Sequence, residues 1–496
     1  MDEEIRAAIK EIKNNKAVGV DEIPIEFWKV LGEKGLIELV GICKEMYEYG
    51  VWPEDFTKII LIPLPKKSNA MECEEYRTIS LICHASKILL KVLTKRIEAK
   101  AKDYIGQNQF GFRKGCGTRD AIGVMRMLCE RSLEHGSDVY ICFVDFEKAF
   151  DRVKWTKLME ILKMLGIDWR DRRMIGELYI RQEAVIRVEE EDSKPAIIGQ
   201  GVRQGCPLSP LLFSIYVEAM MKEAMYGSEE GVCVGGELVR DVRFADDQGM
   251  VDNTEKGLQA TMDRLNRTAK EYNMKINIKK TKTMVVSKKE GVKVSIVLDG
   301  ISVEQVTKFK YLGSILSEDG RCFEDVKVRV GMAKEAFRKR RELMTKSFSK
   351  DLKKRMIKTL VWPVATYACE TWTLRKKERD KLNALEMWVW RRMEKVSWMD
   401  KKTNEQVLRE VGEERRLLQS VEKRKTNWIG HVVRGEGLMK KVMEGRMRGK
   451  RGRGRPREGM ISELKGDSYG KMKRMAEDRE VWRSYEPWTC YKLAEN

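Results

Sequence analysis

The sequence predicts an α+β fold, in which an antiparallel sheet is followed by a mostly helical, basic C-terminal region. Residues 139–144 are β-branched, aromatic or otherwise uncharged, as expected of a strand buried on both faces. Residues 242–251 surround two adjacent acids with apolar residues, which is typical of a hairpin with acids at its tip. Beyond residue 320, apolar residues recur every three or four positions among many Lys and Arg, and this spacing predicts helices.

The N-terminal elements are predicted as helices followed by short strands. Ile5, Ile9 and Ile12 have the spacing of one helix face, and residues 1–57 as a whole have helical periodicity. Residues 58–65 then predict a short strand that ends in prolines, because proline cannot continue a strand ladder.

Basic residues follow these first strands. They are Lys66 and Lys67, then Arg77 beside an apolar strand, and Arg113 at the end of the segment 109–113. Each arginine, taken alone, is equally well explained as an ordinary surface charge.

The central strand ends in a carboxylate. Asp145 comes directly after residues 139–144, and from Glu147 onward the apolar residues have helical spacing. A strand is therefore expected to end at Asp145 and a helix to follow it.

A glycine-containing loop precedes an apolar helix at residues 201–213. Gly205 permits close backbone approach, and Ser209-Pro210 is a typical helix start. The alternative is a plain loop followed by a core helix. The string Gly-Val-Arg-Gln-Gly-Cys-Pro-Leu-Ser-Pro is distinctive only as a whole.

The adjacent acids Asp246 and Asp247 are candidates for a metal site. Adjacent carboxylates repel, so a buried pair either has a compensating cation or becomes protonated. With Asp145 on a neighbouring strand they would form an all-oxygen site suited to Mg²⁺, which also binds water and substrate phosphate. Two such ions about 3.5–4 Å apart support in-line displacement. An Ala-Asp-Asp sequence alone would be only a surface turn, because Asp is a common turn residue.

Composition narrows the functional class. The 496 residues carry 97 Lys and Arg against 77 Asp and Glu, a formal net charge of +20, which indicates a polyanionic partner. The eleven cysteines are scattered without a CxxC pair, as expected of a reduced intracellular protein in the nucleus or cytoplasm. Only three histidines occur, which disfavours a histidine-based nucleophilic triad or a zinc-finger series. No signal peptide, lipidation signal or membrane span is predicted.

The C-terminal third has two basic parts. Residues 324–358 predict a basic helical run, and the tryptophans at 388, 390, 398 and 428 are expected to pack in a core more often than to stack on bases. Residues 421–458 hold thirteen Lys or Arg against four acids. Their glycine-arginine tract is predicted to neutralise phosphates, although a nuclear-localisation signal or a solvated tail explains it equally well. The candidate nucleic-acid-binding residues are Arg448, Lys450, Arg451, Arg453, Arg455 and Arg457.

Taken together, these motifs resemble the reverse transcriptase of non-LTR (LINE-type) retrotransposons of the RTE or jockey-like kind. The resemblance covers nearly all of residues 1–320 in order and the C-terminal third more weakly. It implies a right-hand polymerase with fingers, a palm containing the antiparallel sheet, and a thumb. The implied activity is RNA-directed DNA polymerisation, a nucleotidyl transfer from dNTPs to a primer 3′-hydroxyl on an RNA template, with a DNA primer or target and two Mg²⁺ ions, or alternatively Mn²⁺.

The resemblance also implies roles for individual residues. Asp145, Asp246 and Asp247 match the palm acids, with Asp145 and Asp246 as the principal metal ligands. Phe150 matches the steric gate against a nucleotide 2′-hydroxyl. The other implied nucleotide-binding residues are Arg77, Arg113, Gln204, Gly205 and Lys280, with Lys66 or Lys67 as possible additions.

Lys280 matches a lysine that protonates pyrophosphate, and Tyr311, Leu312 and Gly313 match the primer grip. The sequence departs from the family pattern at Gln248-Gly249, where an apolar pair is usual.

Four segments are expected: a helical lead-in to the fingers at 1–57, fingers and palm at 58–317, a helical thumb and connection at 318–420, and a basic C-terminal region at 421–496.

The endonuclease domain that usually precedes this polymerase is expected to be absent, and His431 is expected to pack among its apolar neighbours. The alternative function is that of a decayed or co-opted copy that only binds nucleic acid. An RNA-directed RNA polymerase has similar acids but is disfavoured by Phe150.

Overall fold

The computed structural model describes residues 1–189, 191–345, 347–449, 457–462, 464 and 468–485. Helices dominate these residues, and short 3₁₀ turns lie at Cys73–Glu75, Ala149–Arg152, Arg341–Met344, Cys369–Thr371 and Trp398–Asp400. The α-helices are α1 Asp2–Glu11, α2 Ile25–Lys29, α3 Glu33–Tyr49, α4 Glu54–Thr57, α5 His84–Ala101, α6 Thr118–Glu134, α7 Trp155–Met164, α8 Trp169–Ile180, α9 Ser209–Ala224, α10 Glu255–Glu271, α11 Phe323–Arg338, α12 Lys350–Leu360, α13 Trp362–Ala365, α14 Lys376–Met393, α15 Asn404–Val411, α16 Leu417–Arg434, α17 Leu438–Glu444, α18 Tyr469–Glu477 and α19 Arg479–Ser484.

The strands are mostly short and lie before residue 318. They are β1 Lys58–Pro65, β2 Tyr76–Leu81, β3 Val139–Val144, β4 Glu183–Val188, β5 Glu191–Asp192, β6 Ala196–Ile197, β7 Val232–Val234, β8 Glu237–Val239, β9 Asp241–Phe244, β10 Asp247–Asp252, β11 Lys282–Val286, β12 Val297–Leu298, β13 Ile301–Ser302, β14 Glu304–Gln305, β15 Lys308–Tyr311 and β16 Ser314–Ser317.

The chain divides into two compact units, each built from separate chain segments. Unit 1 comprises Met1–Phe112, Asp145–Ser228 and Asp263–Asn277, and unit 2 comprises Arg113–Val144, Glu229–Met262 and Ile278–Asn496. The four consecutive segments expected from the sequence remain a prediction about domains.

Unit 1 contains a sheet in the order β2-β1-β4-β5, with β6 also paired to β4. Strand β1 pairs antiparallel with β2, with Ile60 opposite Leu81, and parallel with β4, with Lys58 opposite Glu183. Helix α5 supplies much of the core, because its apolar residues from Ile88 to Leu93 are almost fully buried. The strand predicted at residues 58–65 is confirmed.

Unit 2 contains the sheet that positions the predicted acids, in the order β14-β11-β3-β10-β9. Strand β3 is central and antiparallel to both β10 and β11, with Val144 opposite Gln248 and Phe143 opposite Lys282. Ile141 and Cys142 are fully buried, as the uncharged composition of this strand predicts. The predicted strand, the predicted hairpin and the α+β fold class are confirmed.

A buried ion pair joins helix α6 to helix α11 within unit 2. Arg126 donates to the Asp325 carboxylate at 2.9 Å and to the Ser314 hydroxyl at 3.0 Å. The Trp372 indole N–H donates to the same carboxylate at 2.8 Å. Removing one partner of a buried pair would leave the other charge uncompensated, so this contact fixes the relative positions of α6, β16 and α11.

The structure differs from the sequence predictions at three further points. After Asp145 the chain forms a 3₁₀ turn before α7 begins at Trp155, so the helix starts later than its apolar spacing predicted. The single basic run at 324–358 is two helices, α11 and α12, separated by a 3₁₀ turn. Trp390 and Trp428 are buried as expected, but Trp398 is 95% exposed.

His431 is exposed, contrary to the expected packing, because it lies on the outer face of α16 while its neighbours Gly430 and Val432 are buried. Among the described residues, no helix combines the length and the apolar character that a membrane span requires.

Candidate active site

The β9–β10 turn carries two of the three predicted acids. Ala245 adopts a left-handed backbone conformation (φ 59°), which closes the turn, and Asp247 begins β10 opposite Phe244. Asp246 and Asp247 are both exposed at the tip. Their carboxylates are therefore open to solvent and to a ligand, while the strands that hold them are buried.

Three neighbouring strands of unit 2 present their ends at the same edge of the sheet. Strand β3 ends where β10 begins, because Val144 is opposite Gln248, and β11 also begins there, because Lys282 is opposite Phe143. Lys280 is exposed two residues before β11. This edge therefore bears Asp246, Asp247 and Lys280, three of the predicted site residues.

Asp145 is the residue that follows Val144 in the chain, and it belongs to unit 1. Its carbonyl oxygen accepts a hydrogen bond from the Asn277 N–H at 2.8 Å, and the next residue, Phe146, forms an antiparallel bridge with Ile276. The backbone at Asp145 is thus held on one side by the 276–277 segment, and the residue is partly exposed.

Gln248, where the sequence departs from the family pattern, is 1% exposed. Within the described residues neither its amide oxygen nor its amide nitrogen has a hydrogen-bond partner. A buried amide without partners costs free energy, so this position carries a stability penalty next to the predicted metal ligands. The neighbouring Gly249 lies close to Met125, whose methyl carbon would be 3.1 Å from an added Cβ.

Phe150, the predicted steric gate, is held by aromatic packing in unit 1. Its ring stacks on Phe213 of α9 with centroids 4.1 Å apart, and Phe112 contacts it edge-on at 6.1 Å. Its carbonyl oxygen accepts from the Val202 N–H at 2.9 Å. The ring is therefore restrained on one side while the residue stays partly exposed. The sequence motif included Phe213, but its contact with Phe150 could not be derived from spacing.

The loop with Gln204 and Gly205 packs against β2 of unit 1. The Gln204 carbonyl oxygen accepts from the Ser80 N–H at 2.7 Å. Gly205 has φ +111°, and a Cβ there would lie 2.8 Å from the Ser80 carbonyl oxygen, so only glycine fits. The structure thereby brings the loop, β2 and the Phe150 segment together, since Val202 bonds to Phe150.

The predicted basic residues occupy different environments. Arg77 is exposed on β2 opposite Leu64, whereas Lys66 donates to the Glu74 carbonyl oxygen at 2.7 Å and Lys67 forms an ion pair with Glu75. Arg113 is partly exposed at the start of unit 2. Among these, Arg77 is exposed and forms no ion pair with a described residue, so its guanidinium is available to a ligand.

The predicted primer grip is the turn of the β15–β16 hairpin in unit 2. Leu312 and Gly313 both have positive φ, 47° and 83°, as two-residue hairpin turns require. Tyr311 is 2% exposed, and its hydroxyl donates to the Val242 carbonyl oxygen of β9 at 3.0 Å. Burial and the nearby carboxylates of Asp247 and Asp241 raise the pKa of Tyr311 above its ordinary value. The grip residue therefore contacts the acid-bearing hairpin directly.

Two residues that the sequence pattern did not single out hold this turn. Arg329 of α11 donates to the Gly313 carbonyl oxygen, and Tyr367 donates to the Leu312 carbonyl oxygen at 2.8 Å. The Arg329 guanidinium also lies 4.3 Å from the Tyr367 ring centroid. Arg329 belongs to the basic helical run predicted at residues 324–358, and it is only 6% exposed. No signal in the sequence distinguishes it from the neighbouring Lys and Arg.

The basic tract is only partly described. Lys450, Arg451, Arg453 and Arg455 lie outside the described residues. Arg448 is exposed, whereas Arg457 donates to the carbonyl oxygens of Asp319 and Gly320 at 2.9 and 2.8 Å. Arg457 therefore has an anchoring role within unit 2.

The predicted metal ligands supply only carboxylate oxygens, the donors that Mg²⁺ and Mn²⁺ prefer. Among the described residues, the structure brings no three His, Cys, Asp or Glu side chains close enough together to hold a metal ion. The assignment of Asp145, Asp246 and Asp247 as ligands stays a prediction.

Comparison with known proteins places these features in a family. Residues 64–316 match the family described as reverse transcriptase (RNA-dependent DNA polymerase). The chain is 24% identical over 395 residues to a probable RNA-directed DNA polymerase from transposon BS of Drosophila melanogaster, covering 76% of this chain and 42% of that one. It is also 24% identical over 408 residues to the RNA-directed DNA polymerase from mobile element jockey of Drosophila funebris, covering 80% and 44%.

A solved structure of apo telomerase from Candida tropicalis covers 60% of this chain and 59% of that chain, at 15% identity and a TM-score of 0.39. The chain spans less than half the length of the two Drosophila relatives. The family match extends over half of the chain, from the end of β1 into β16, and the listed relatives include the jockey mobile element, so the resemblance to non-LTR retrotransposon reverse transcriptases is confirmed. This chain belongs to the reverse transcriptase (RNA-dependent DNA polymerase) family.

Proposed function

We propose that this protein is an RNA-directed DNA polymerase of a non-LTR retrotransposon, which extends a primer 3′-hydroxyl with dNTPs on an RNA template inside the cell, in the nucleus or cytoplasm. The observation that carries the proposal is the sheet edge of unit 2, where the ends of β3, β10 and β11 meet and Asp246 and Asp247 are exposed. A buried sheet with an acidic, solvent-open turn is a suitable support for phosphoryl transfer.

We assign metal binding to Asp145, Asp246 and Asp247, with Mg²⁺ as the expected ion and Mn²⁺ as the alternative. When bound, two such ions lower the pKa of the attacking hydroxyl and stabilise the charge of the departing pyrophosphate. The chain contains only three histidines, and this chemistry needs none of them as a general base. We assign proton donation to pyrophosphate to Lys280, and its exposure at the same edge supports this assignment.

The nucleotide-binding role is assigned to the Phe150 segment and the 201–205 loop. Phe150 is restrained by Phe213, so its ring cannot move back freely to admit a 2′-hydroxyl. This rigidity supports the use of dNTPs over rNTPs. The turn at Leu312 and Gly313 is assigned to the primer strand, because Tyr311 joins it to the acid-bearing hairpin.

Primer extension on an RNA template tests the proposal. Asp246→Asn removes a negative charge from the proposed metal site without changing side-chain size, so extension should fall by about 100-fold or more. Binding of primer–template should change little. The matched control is Asp380→Asn on α14, which makes the same chemical change at another exposed aspartate of unit 2.

Extension that survives Asp246→Asn within a few-fold would contradict the metal assignment. A wild-type protein that binds primer–template but never extends it, with either Mg²⁺ or Mn²⁺, would favour the alternative of a copy that only binds nucleic acid. In that case Gln248 would be the first residue to test as the cause of the lost extension activity, because its buried amide lies beside Asp247 in the chain.

A further inference from the structure

A basic pocket lies in the C-terminal part of unit 2. In the sequence, its residues come well after the strands of the acid-bearing sheet. It has a volume of about 540 Å³, and its lining residues are Lys423, Asn427, His431, Arg434, Arg479, Trp482 and Arg483. Four of these seven residues are Lys or Arg and none is acidic. The volume is in the range of small-molecule sites, so it suits a short segment of one strand and not a duplex.

One wall of the pocket is a single face of α16. Lys423, Asn427 and His431 are four residues apart, and Arg434 follows three residues later, so their side chains leave the helix in the same direction. The first three are exposed, whereas the residues on the opposite face, including Trp428 and Ile429, are buried in the core. The wall is therefore rigidly supported from behind.

The opposite wall is α19, and its position depends on Gly430. The Trp482 indole N–H donates to the Thr426 carbonyl oxygen at 2.9 Å, and the indole lies so close to Gly430 that a Cβ there would clash with the ring. Trp482 is 3% exposed and forms the floor of the pocket. This docking places Arg479 and Arg483, one turn apart, beside the α16 face.

The positive charges of the pocket have no acidic partner in an ion pair among the residues that the structure describes. Lys423, Arg479 and Arg483 form no ion pair with any described residue, and Asp478, which precedes Arg479, caps α19 by accepting from the backbone N–H groups of Glu480 and Val481. Burial and the charges of Arg479 and Arg483 lower the pKa of the Arg434 guanidinium. Neighbouring cations that lack an acidic partner repel one another, so the binding of an anion between them is energetically favourable.

We infer that this pocket binds the phosphate backbone of a single nucleic-acid strand, at a second site outside the polymerase centre. Arginine forks bind phosphate oxygens with two hydrogen bonds, and Asn427 and His431, which line the same pocket, offer further polar groups. The inference does not require polymerase activity, because strand binding is measured directly. The inference rests on the proposed function only for the purpose of the pocket, which would hold the template while the palm extends the primer.

The test uses the full chain and fluorescently labelled 20-nucleotide RNA and DNA of the same sequence, followed by anisotropy across a series of salt concentrations. The variant is Arg479→Gln with Arg483→Gln. The matched control is Lys471→Gln with Arg474→Gln, which removes two charges from the neighbouring helix α18. A second pocket variant, Lys423→Gln with Asn427→Ala, changes the other wall.

Both pocket variants should weaken strand binding at least tenfold more than the control. The α19 pair should also flatten the slope of log affinity against log salt by about 1.4, since each phosphate that is no longer neutralised on a single strand removes about 0.7. Equal effects of pocket and control variants would overturn the inference, because bulk charge would then explain binding. Equal competition by polyglutamate would also overturn it, since the pocket would then accept any polyanion.

The RNA and DNA arms distinguish which strand the pocket holds. Single-nucleotide extension at saturating primer–template should stay at the wild-type rate in the pocket variants. If the wild-type protein does not extend primers at all, the proposed polymerase function fails while the binding comparison still decides the pocket.

Discussion

Phe150 illustrates how one side chain can be assigned by sequence and positioned by tertiary contacts. We expect Phe150→Val to lower the preference for dNTPs over rNTPs by tenfold or more, a change of about 1.4 kcal/mol or greater in discrimination. The physical reason is that the ring, stacked on Phe213 at 4.1 Å, has little freedom to move away from a 2′-hydroxyl. Steady-state incorporation of dNTPs and rNTPs opposite one template base measures this preference.

The control for this experiment is Phe27→Val, which makes the same truncation at an exposed residue of α2. The control should leave the discrimination unchanged. If Phe150→Val also leaves it unchanged while extension remains normal, Phe150 does not act as the gate.

Gln248 leads to a prediction about stability. Gln248→Met replaces a buried amide without partners by an apolar side chain of similar length, and should raise the free energy of unfolding by about 1–3 kcal/mol. Thermal and chemical denaturation measure the change. Gln419→Met, at an exposed position of α16, should change stability by less than about 0.5 kcal/mol. A decrease in stability in Gln248→Met would mean that the amide has bonding partners after all.

At the scale of elements, the β15–β16 turn depends on side chains from two other segments. Tyr367→Phe removes the hydrogen bond to the Leu312 carbonyl oxygen, together with the contact of the same hydroxyl with the Thr118 hydroxyl at 3.0 Å, but keeps the ring beside Arg329. Removing one hydrogen bond of about 1 kcal/mol should raise the KM for primer–template roughly fivefold, with little change in kcat at saturation. Kinetics at varied primer–template concentration separate the two constants.

Tyr226→Phe serves as the control for the turn, because Tyr226 is 89% exposed. A Tyr367→Phe variant with an unchanged KM would show that the primer strand does not depend on this turn. A change in kcat alone would point to the acid-bearing hairpin, which the turn contacts through Tyr311.

At the scale of the whole molecule, the net charge of +20 predicts strongly salt-dependent binding to nucleic acid. Replacing Lys450, Arg451, Arg453 and Arg455 by Gln should weaken primer–template binding and reduce the salt slope by up to about 3.6, at roughly 0.7–0.9 for each phosphate that is no longer neutralised. Extension at saturating primer–template should be unaffected, because the tract contains no carboxylate. Arg457 is left in place, since it anchors the chain at Asp319 and Gly320.

Replacing the same number of Lys and Arg residues on α12, Lys353 among them, controls for general charge. An extension rate that fails to recover at saturation would show that the tract does more than tether nucleic acid. An unchanged salt slope would support the interpretation of the tract as a localisation signal.

Local sequence determined the elements that carry the site. Strand β3, the β9–β10 hairpin and helix α9 were all predicted, because alternation, turn residues and a Ser-Pro helix start act over a few neighbouring residues. The family resemblance followed from the same short motifs and was confirmed over residues 64–316.

Only the tertiary structure decided which of many similar side chains are buried, paired or exposed. Arg329 supports the Gly313 turn, although nothing in the sequence distinguishes it from its basic neighbours. His431 lines an exposed basic pocket, although its apolar neighbours indicated that it would pack. Phe150 and Phe213 are distant in the chain and meet only because the 201–205 loop returns the chain to β2. Such contacts depend on packing between distant segments, and periodicity within a segment contains no information about them.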